Sequence, residues 1–272
     1  MNFQTELSAA MEAARRASDY LQNAYREFIA IPDAPVNIST EADRKSQELI
    51  LHFLHDQFPN DGLCGEENTA LRTTVNGGAA PERWWVVDPI DGTRGFAKKN
   101  DQFSVMIALR EQQQILVGVV IEPATNRLTY ASLGSGCWFQ VGDNAPQRCA
   151  VTTTNVISKA VLAMSHLKPG VEHRLLNMIP HRQVLETYSA GIKLAMVARG
   201  EADCYPNDYA AISDWDLCAG HLLVTEAGGV FTTFRGEPLV YGQPNFCINQ
   251  PTIASNGLLH EQLLHAVRHW EG

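Results

Sequence analysis

The sequence predicts a mixed α/β chain (α+β in its first half) of stacked helix and sheet layers, in two linked halves, 1–150 and 151–272. Three observations lead there. Apolar stripes at helical spacing open the chain, β-rich runs separated by turn residues fill residues 84–131, and beyond residue 160 short strands alternate with helices.

Residues 3–29 place Leu7, Ala10, Met11, Ala14, Ala17, Leu21 and Phe28 at helical spacing, with Arg15, Arg16 and Asp19 on the wet side. The Ile31-Pro32-Asp33-Ala34-Pro35 stretch breaks this helix. A second helix is expected from Thr40 to Gln57, ended by Pro59-Asn60-Asp61-Gly62. Strands are expected at Trp84–Val87, Phe103–Leu109, Ile115–Ile121 and Leu128–Ala131, with a hairpin at Gly134-Ser135-Gly136 and a polar connection over 142–156. Next come a strand at Ala160–Ala163 and helices near 170–179 and 189–199. A strand at 202–205, a helix at 214–227 stopped by Gly228-Gly229, a strand at 230–234 and a helix at 257–269 complete the chain.

The 272 residues carry 21 Lys+Arg against 30 Asp+Glu, a net charge of −9. Polynucleotide binding neutralises many phosphates with basic side chains, so this balance argues against it, while a small phosphorylated ligand needs only one pocket. No run of about 18 apolar residues is present, which excludes a transmembrane helix. The acidic residues inside the first amphipathic stripe are unlike a secretory signal. Six scattered cysteines without metal spacing read as reduced thiols, so a cytoplasmic protein is expected. The nine histidines form no ligand set, and no nucleophile elbow, P-loop or dinucleotide fingerprint occurs.

The informative segment is Trp84-Trp85-Val86-Val87-Asp88-Pro89-Ile90-Asp91-Gly92-Thr93. A hydrophobic strand ends in Asp88, Pro89 is expected to stop the ladder, and Asp91 follows. The two carboxylates and the Ile90 carbonyl form an oxygen-rich cup suited to a hard cation. A helix beginning at Gly92-Thr93 would aim N–H groups at an anion. Taken alone, Asp91-Gly92 also suits a plain turn. Gly65-Glu66-Glu67 upstream would by itself be a solvated surface. Asp216, in Ser213-Asp214-Trp215-Asp216, either complements a helix dipole or points into a shared site. Thr40-Glu41-Ala42-Asp43 is a variant capping box, and Asp43 could alternatively bond a hydroxyl or a metal-bound water.

Together, Gly65–Glu67, Asp88–Phe96, Trp215–Gly220 and Thr40–Asp43 resemble the inositol monophosphatase superfamily of Mg²⁺-dependent, lithium-sensitive phosphatases, in order and over nearly the whole chain. The resemblance implies a layered αβαβα sandwich. It implies that Glu66, Asp88, the Ile90 carbonyl, Asp91 and Asp216 bind two or three Mg²⁺, and that Thr93 pairs with Asp43 or Glu66 to orient a metal-bound water. It also implies that the Gly92 and Thr93 N–H groups hold the phosphate. Family members are often dimers, which leaves a homodimer open.

Arg94-Gly95-Phe96 with Gln102-Phe103-Ser104-Val105 looks like the 3'(2'),5'-bisphosphate nucleotidase branch, as does Ser189 to Lys193 followed by Gly200-Glu201-Ala202-Asp203. In that branch Ser189, Lys193 and Asp216 would meet the substrate, with Lys193 facing a second phosphate. The implied reaction is removal of the 3'-phosphate from 3'-phosphoadenosine 5'-phosphate or its sulfated precursor. The chain departs from that branch at Asn207, where an arginine is usual, and Tyr209 could either stack on a base or cover the core. The alternatives are an inositol or sugar phosphatase and an inactive regulatory relative; the intact carboxylates oppose the latter, since clustered charges repel without a cation.

Overall fold

The computed structural model describes residues 3–72, 81–166, 170, 173–209 and 212–270. Helix α1 (Gln4–Glu27) buries a stripe of small residues, Ala10, Ala13, Ala14 and Ala17, between Leu7 and Leu21. Helix α2 (Glu41–Gln57) starts at the expected Thr40 cap and lies beside it. Alanine loses no side-chain entropy on packing and lets the helix lie close to a sheet.

The first sheet has seven strands in sequential order: β1 (Gly62–Gly65), β2 (Arg83–Asp91), β3 (Ser104–Glu111), β4 (Gln114–Glu122), β5 (Arg127–Ser132), β6 (Cys137–Val141) and β7 (Gln147–Arg148). β1 and β2 are parallel, and the rest form an antiparallel meander. The short helix α3 (Thr93–Lys98) follows β2.

The second half supplies β8 (Val161–Met164), α4 (Arg174–Met178), β9 (Gln183–Glu186), α5 (Ala190–Ala198), β10 (Cys204–Asn207), α6 (Asp214–Glu226), β11 (Val230–Thr233), β12 (Thr252–Ser255) and α7 (His260–Val267). Its strands form a five-stranded sheet in the order β11-β12-β10-β8-β9.

Strand alternation divides the interior into three cores, and because the central one fills both faces of the α5–α6 layer, five layers result. Trp85 and Val87 of β2 face α1 and α2, while Val86 faces α5 and α6. In β8, Val161 and Ala163 face the same α5–α6 layer, whereas Leu162 and Met164 face α4 and α7. Successive side chains of a strand point to opposite faces, so each sheet serves two cores. The architecture is αβαβα.

Some elements differ from expectation. β6 is the second arm of the hairpin expected at Gly134-Ser135-Gly136, while β1, β7, β9 and β12 add to the expected strands, β7 inside the stretch read as a polar connection. The helix expected over 170–179 is described as Arg174–Met178, with 171–172 outside the described residues. Pro89 does not stop β2. Asp88 pairs with Met106 and Asp91 with Ser104, so β2 spends one residue more than β3 over that span. Such a bulge leaves a residue unpaired, and a proline there forfeits no ladder bond.

Helix α6 comes against β4 with backbone-to-backbone closeness. A Cβ on Gly118 would stand 2.6 Å from the Ala219 carbonyl oxygen, and one on Gly220 would stand 2.3 Å from Leu194. Overpacking of this kind costs about 1–3 kcal/mol. Gly118→Ala is therefore expected to lower Tm by roughly 2–12 °C for a chain of this length. Thermal unfolding checks this, and an unchanged Tm contradicts the close approach.

Candidate metal and phosphate site

The bulge in β2 decides where two carboxylates point. Residues three apart on a regular strand face opposite sides, and one extra residue restores parity. Val86 packs in the central core and Ile90 packs towards α1 and α2, so Asp88 and Asp91 both turn towards the central helices. Asp216 comes to meet them from the first turn of α6. One oxygen from each of Asp88, Asp91 and Asp216 lies within 4.8 Å of the others. Among the described residues no other group of three metal-capable side chains gathers so closely.

Each side chain is held. The Ser213 N–H donates to Asp216 Oδ2 at 2.7 Å, closing a capping box. Asp91 sits at the start of α5, accepting the Ala190 N–H at 3.0 Å and the Gly191 N–H at 2.6 Å. Ser104 Oγ donates to Asp91 at 3.2 Å, and Ser189 Oγ donates to the same oxygen. The Ile90 N–H donates to Asp88 Oδ1 at 3.1 Å. Thr93 Oγ1 lies 2.9 Å from the Ile90 carbonyl oxygen and 3.0 Å from Asp43 Oδ1, two acceptors for one hydrogen. The other oxygen of Asp43 accepts from the Thr40 N–H and hydroxyl, so one carboxylate both caps α2 and bonds Thr93. Gly92 caps α3 at φ +87°, and a Cβ there would stand 2.7 Å from the Gln102 carbonyl oxygen. Only glycine combines that conformation with that closeness.

Glu66 follows β1, its N–H donating to Val87 O at 3.3 Å. It stands outside the group of three, although its charge acts on Asp88. Gln47 fixes this segment: it accepts from the Glu67 N–H at 2.8 Å and donates to the Glu67 carbonyl at 2.7 Å. The sequence reading missed Gln47. Its signal was that Asp43, Ser46 and Gln47 continue the buried stripe of Ile50, Leu51 and Leu54 with polar side chains.

Lys193 is neither exposed nor on a helix surface. It is 1% exposed on α5, donates to Ser165 Oγ at 2.7 Å and lies 4.9 Å from the Tyr205 ring. Ser189 caps α5, accepting the Ile192 N–H at 2.9 Å. Asn207 is buried and donates to the Tyr209 carbonyl at 3.4 Å. Tyr209 itself is 57% exposed and covers no core.

The electrostatics follow from crowding. Burial pushes Asp216 up to about 7, with the Asp91 charge adding to the rise. Burial pushes Glu66 up to about 8, followed by the charges of Asp216, Asp43 and Glu67. Asp88 lies well above the usual carboxylate range from burial, then Glu66 and Asp91. Burial raises Asp43 to about 6 against the hydrogen bonds from Thr40 and Thr93. Lys193 is lowered to about 8 by burial, opposed by Asp91 and Asp216. Carboxylates that destabilise one another in this way, with hard oxygen donors only, suit a small dication.

The sequence matches the model of the inositol monophosphatase family over residues 2–271. It is 32% identical to a histidinol-phosphatase of Mycobacterium tuberculosis over 229 residues, 83% of this chain and 82% of that one. It is 34% identical to a 3'(2'),5'-bisphosphate nucleotidase of Dictyostelium discoideum over 85% of this chain and 75% of that one. An inositol monophosphatase structure from Anabaena superposes with a TM-score of 0.80 at 28% identity, covering 100% of this chain and 98% of that one.

A carboxyl group with a raised pKa holds its proton in the folded state after the unfolded chain has lost it, near pH 4. Stability without Mg²⁺ is therefore greatest on the acid side and is lost as pH climbs through the folded values, about 7 for Asp216 and about 8 for Glu66. Melting curves in EDTA should fall from pH 5 to pH 8, and Mg²⁺ should raise Tm more at pH 8 than at pH 5. An equal Mg²⁺ effect at both pH values contradicts this reading.

Proposed function

Because the chain belongs to the inositol monophosphatase family and is a hydrolase of phosphomonoesters, we propose that Asp88, Asp91, Asp216, Glu66 and the Ile90 carbonyl hold the Mg²⁺ ions of the reaction, two or three in number. The observation that carries this is the approach of three carboxylates within 4.8 Å, those of Asp88 and Asp91 buried and that of Asp216 half-buried. When bound there, Mg²⁺ would supply Lewis acidity to water and to the phosphate and leaving-group oxygens.

The protein's own residues do the positioning. The Gly92 and Thr93 N–H groups would face the phosphate. The Thr93 hydroxyl donates towards Asp43 or the Ile90 carbonyl, which leaves its oxygen free to accept from the attacking water. Asp43, at about 6, is ionised at neutral pH and basic enough to draw that proton through Thr93. The bond that forms joins water oxygen to phosphorus, the ester oxygen leaves opposite it, and orientation supplies most of the rate.

For the substrate we favour 3'-phosphoadenosine 5'-phosphate or its sulfated precursor. The Ser189–Lys193 segment borders Asp91, and the nucleotidase relative supports the same choice. Lys193, held against Ser165, would meet the second phosphate only where the substrate reaches that wall. One observation favours an inositol or sugar phosphate instead: Asn207 places a neutral amide where the nucleotidase branch carries an arginine.

Phosphate release with Mg²⁺ should be measured on 3'-phosphoadenosine 5'-phosphate, myo-inositol 1-phosphate and histidinol phosphate. The nucleotide is expected to be preferred, and a preference for inositol phosphate would overturn that choice. Asp91→Asn should lower kcat at least about 100-fold, the scale of losing a group that stabilises transition-state charge. Lys193→Ala should raise KM for the bisphosphate well beyond that for the monophosphates; equal changes would remove Lys193 from the role.

A further inference from the structure

Asp214 and Asp216 share the first turn of α6, and at two residues apart they project about 200° from one another. Asp216 faces the other carboxylates. Asp214 is fully buried on the opposite side, where Arg110 of β3 lies with its Nε 3.8 Å from Asp214 Oδ2. Arg110 is itself 6% exposed. Among the described residues neither Arg110 Nε nor Asp214 Oδ1 has a hydrogen-bond partner; Arg110 Nη1 donates to the Gln112 carbonyl at 3.0 Å, and the two opposite charges, both withdrawn from water, offset one another.

The contact is enclosed. The Gly242 N–H donates to Asp214 Oδ2 at 2.7 Å, and Gly242, at φ +73°, packs its backbone on the guanidinium: a Cβ there would stand 2.7 Å from Arg110 Nη2. Gln113, in the β3–β4 turn, grips Tyr241 by accepting from its N–H at 2.9 Å and donating to its carbonyl at 3.0 Å. The Tyr241 hydroxyl lies 2.8 Å from His221 Nδ1 on α6. The hairpin turn, residues 241–242 and the start of α6 thus form one clamp.

Helix capping does not require it, since Ser213 and Asp216 already close the cap. For stability alone an apolar pair of similar size would serve as well. We infer that Arg110 and Asp214 are positioning residues, whose buried contact sets the first turn of α6 so that Asp216 reaches Asp88 and Asp91 in the geometry a divalent cation needs. This rests on the reading of Asp216 as a metal ligand.

The test is Mn²⁺ binding by the whole protein without substrate, followed by electron paramagnetic resonance, beside the Mg²⁺ dependence of phosphate release. Asp214→Asn keeps the side-chain shape and the acceptor for Gly242. It is expected to weaken Mn²⁺ binding about tenfold, within the range for residues that orient a metal ligand, and to raise half-saturating Mg²⁺ in proportion. Its kcat at saturating Mg²⁺ should stay near that of the unaltered protein. Arg110→Lys retains the charge without the planar fork and should fall between; it decides the matter where Asp214→Asn does not fold. Unchanged Mn²⁺ affinity in both variants, even with a lowered Tm, overturns the inference and leaves the metal reading standing. An unaltered protein that binds no Mn²⁺ overturns both.

Discussion

One extra residue in β2 governs the site. The bulge at Asp88–Asp91 turns two carboxylates to one face of the first sheet while sending Ile90 into the opposite core. A regular strand would set Asp91 among the apolar side chains under α1 and α2, where a charge has no partner and ionises at great cost. The bulge also frees the Ile90 carbonyl to meet the Thr93 hydroxyl, and it lets Pro89 stand where a ladder donor is not needed. Asp91 then fastens the second half of the chain to the first, because the start of α5 donates two backbone N–H groups to it.

From this follows a balance between packing and repulsion. Two glycines bring α6 against β4 and α5, and with it Asp216 against Asp88 and Asp91. Such packing is favourable for the helices and unfavourable for the charges, as the raised values at Asp216, Glu66 and Asp88 record. A fold that conflicts locally with its own electrostatics does so where it has work to do. The buried Lys193 supplies part of the missing positive charge, which explains an ammonium held inside α5, where an alkyl chain would otherwise be expected.

Much of this was legible in the amino-acid order, unevenly. The long amphipathic helices and the alternating strands declared themselves through periodicity, because their apolar faces are continuous. β1, closed at both ends by glycine, β9, with only Val184 and Leu185 apolar, and β12, with polar residues at both ends, show no apolar run of their own and form because neighbouring strands offer a ladder. The carboxylates were readable from their spacing to Gly and Thr. That Asp88 and Asp91 share a face was not, since spacing alone places them on opposite sides until the register shift is known. Lys193 lay on an apolar helix whose burial on all sides depends on the layers around it, and Gln47 was hidden for the same reason. Arg110 and Asp214 are 104 positions apart, so nothing short of the fold brings them together.

The most direct measurement is diffraction from crystals soaked in Mn²⁺, recorded at a wavelength where manganese scatters anomalously. The account places the strongest anomalous peak between the carboxylates of Asp88, Asp91 and Asp216, with the Ile90 carbonyl or Glu66 completing the shell of one ion. A peak elsewhere with this cluster left free of metal would contradict it, and the three aspartates would then have to be explained as hydrogen-bonding anchors of α5 and α6 alone.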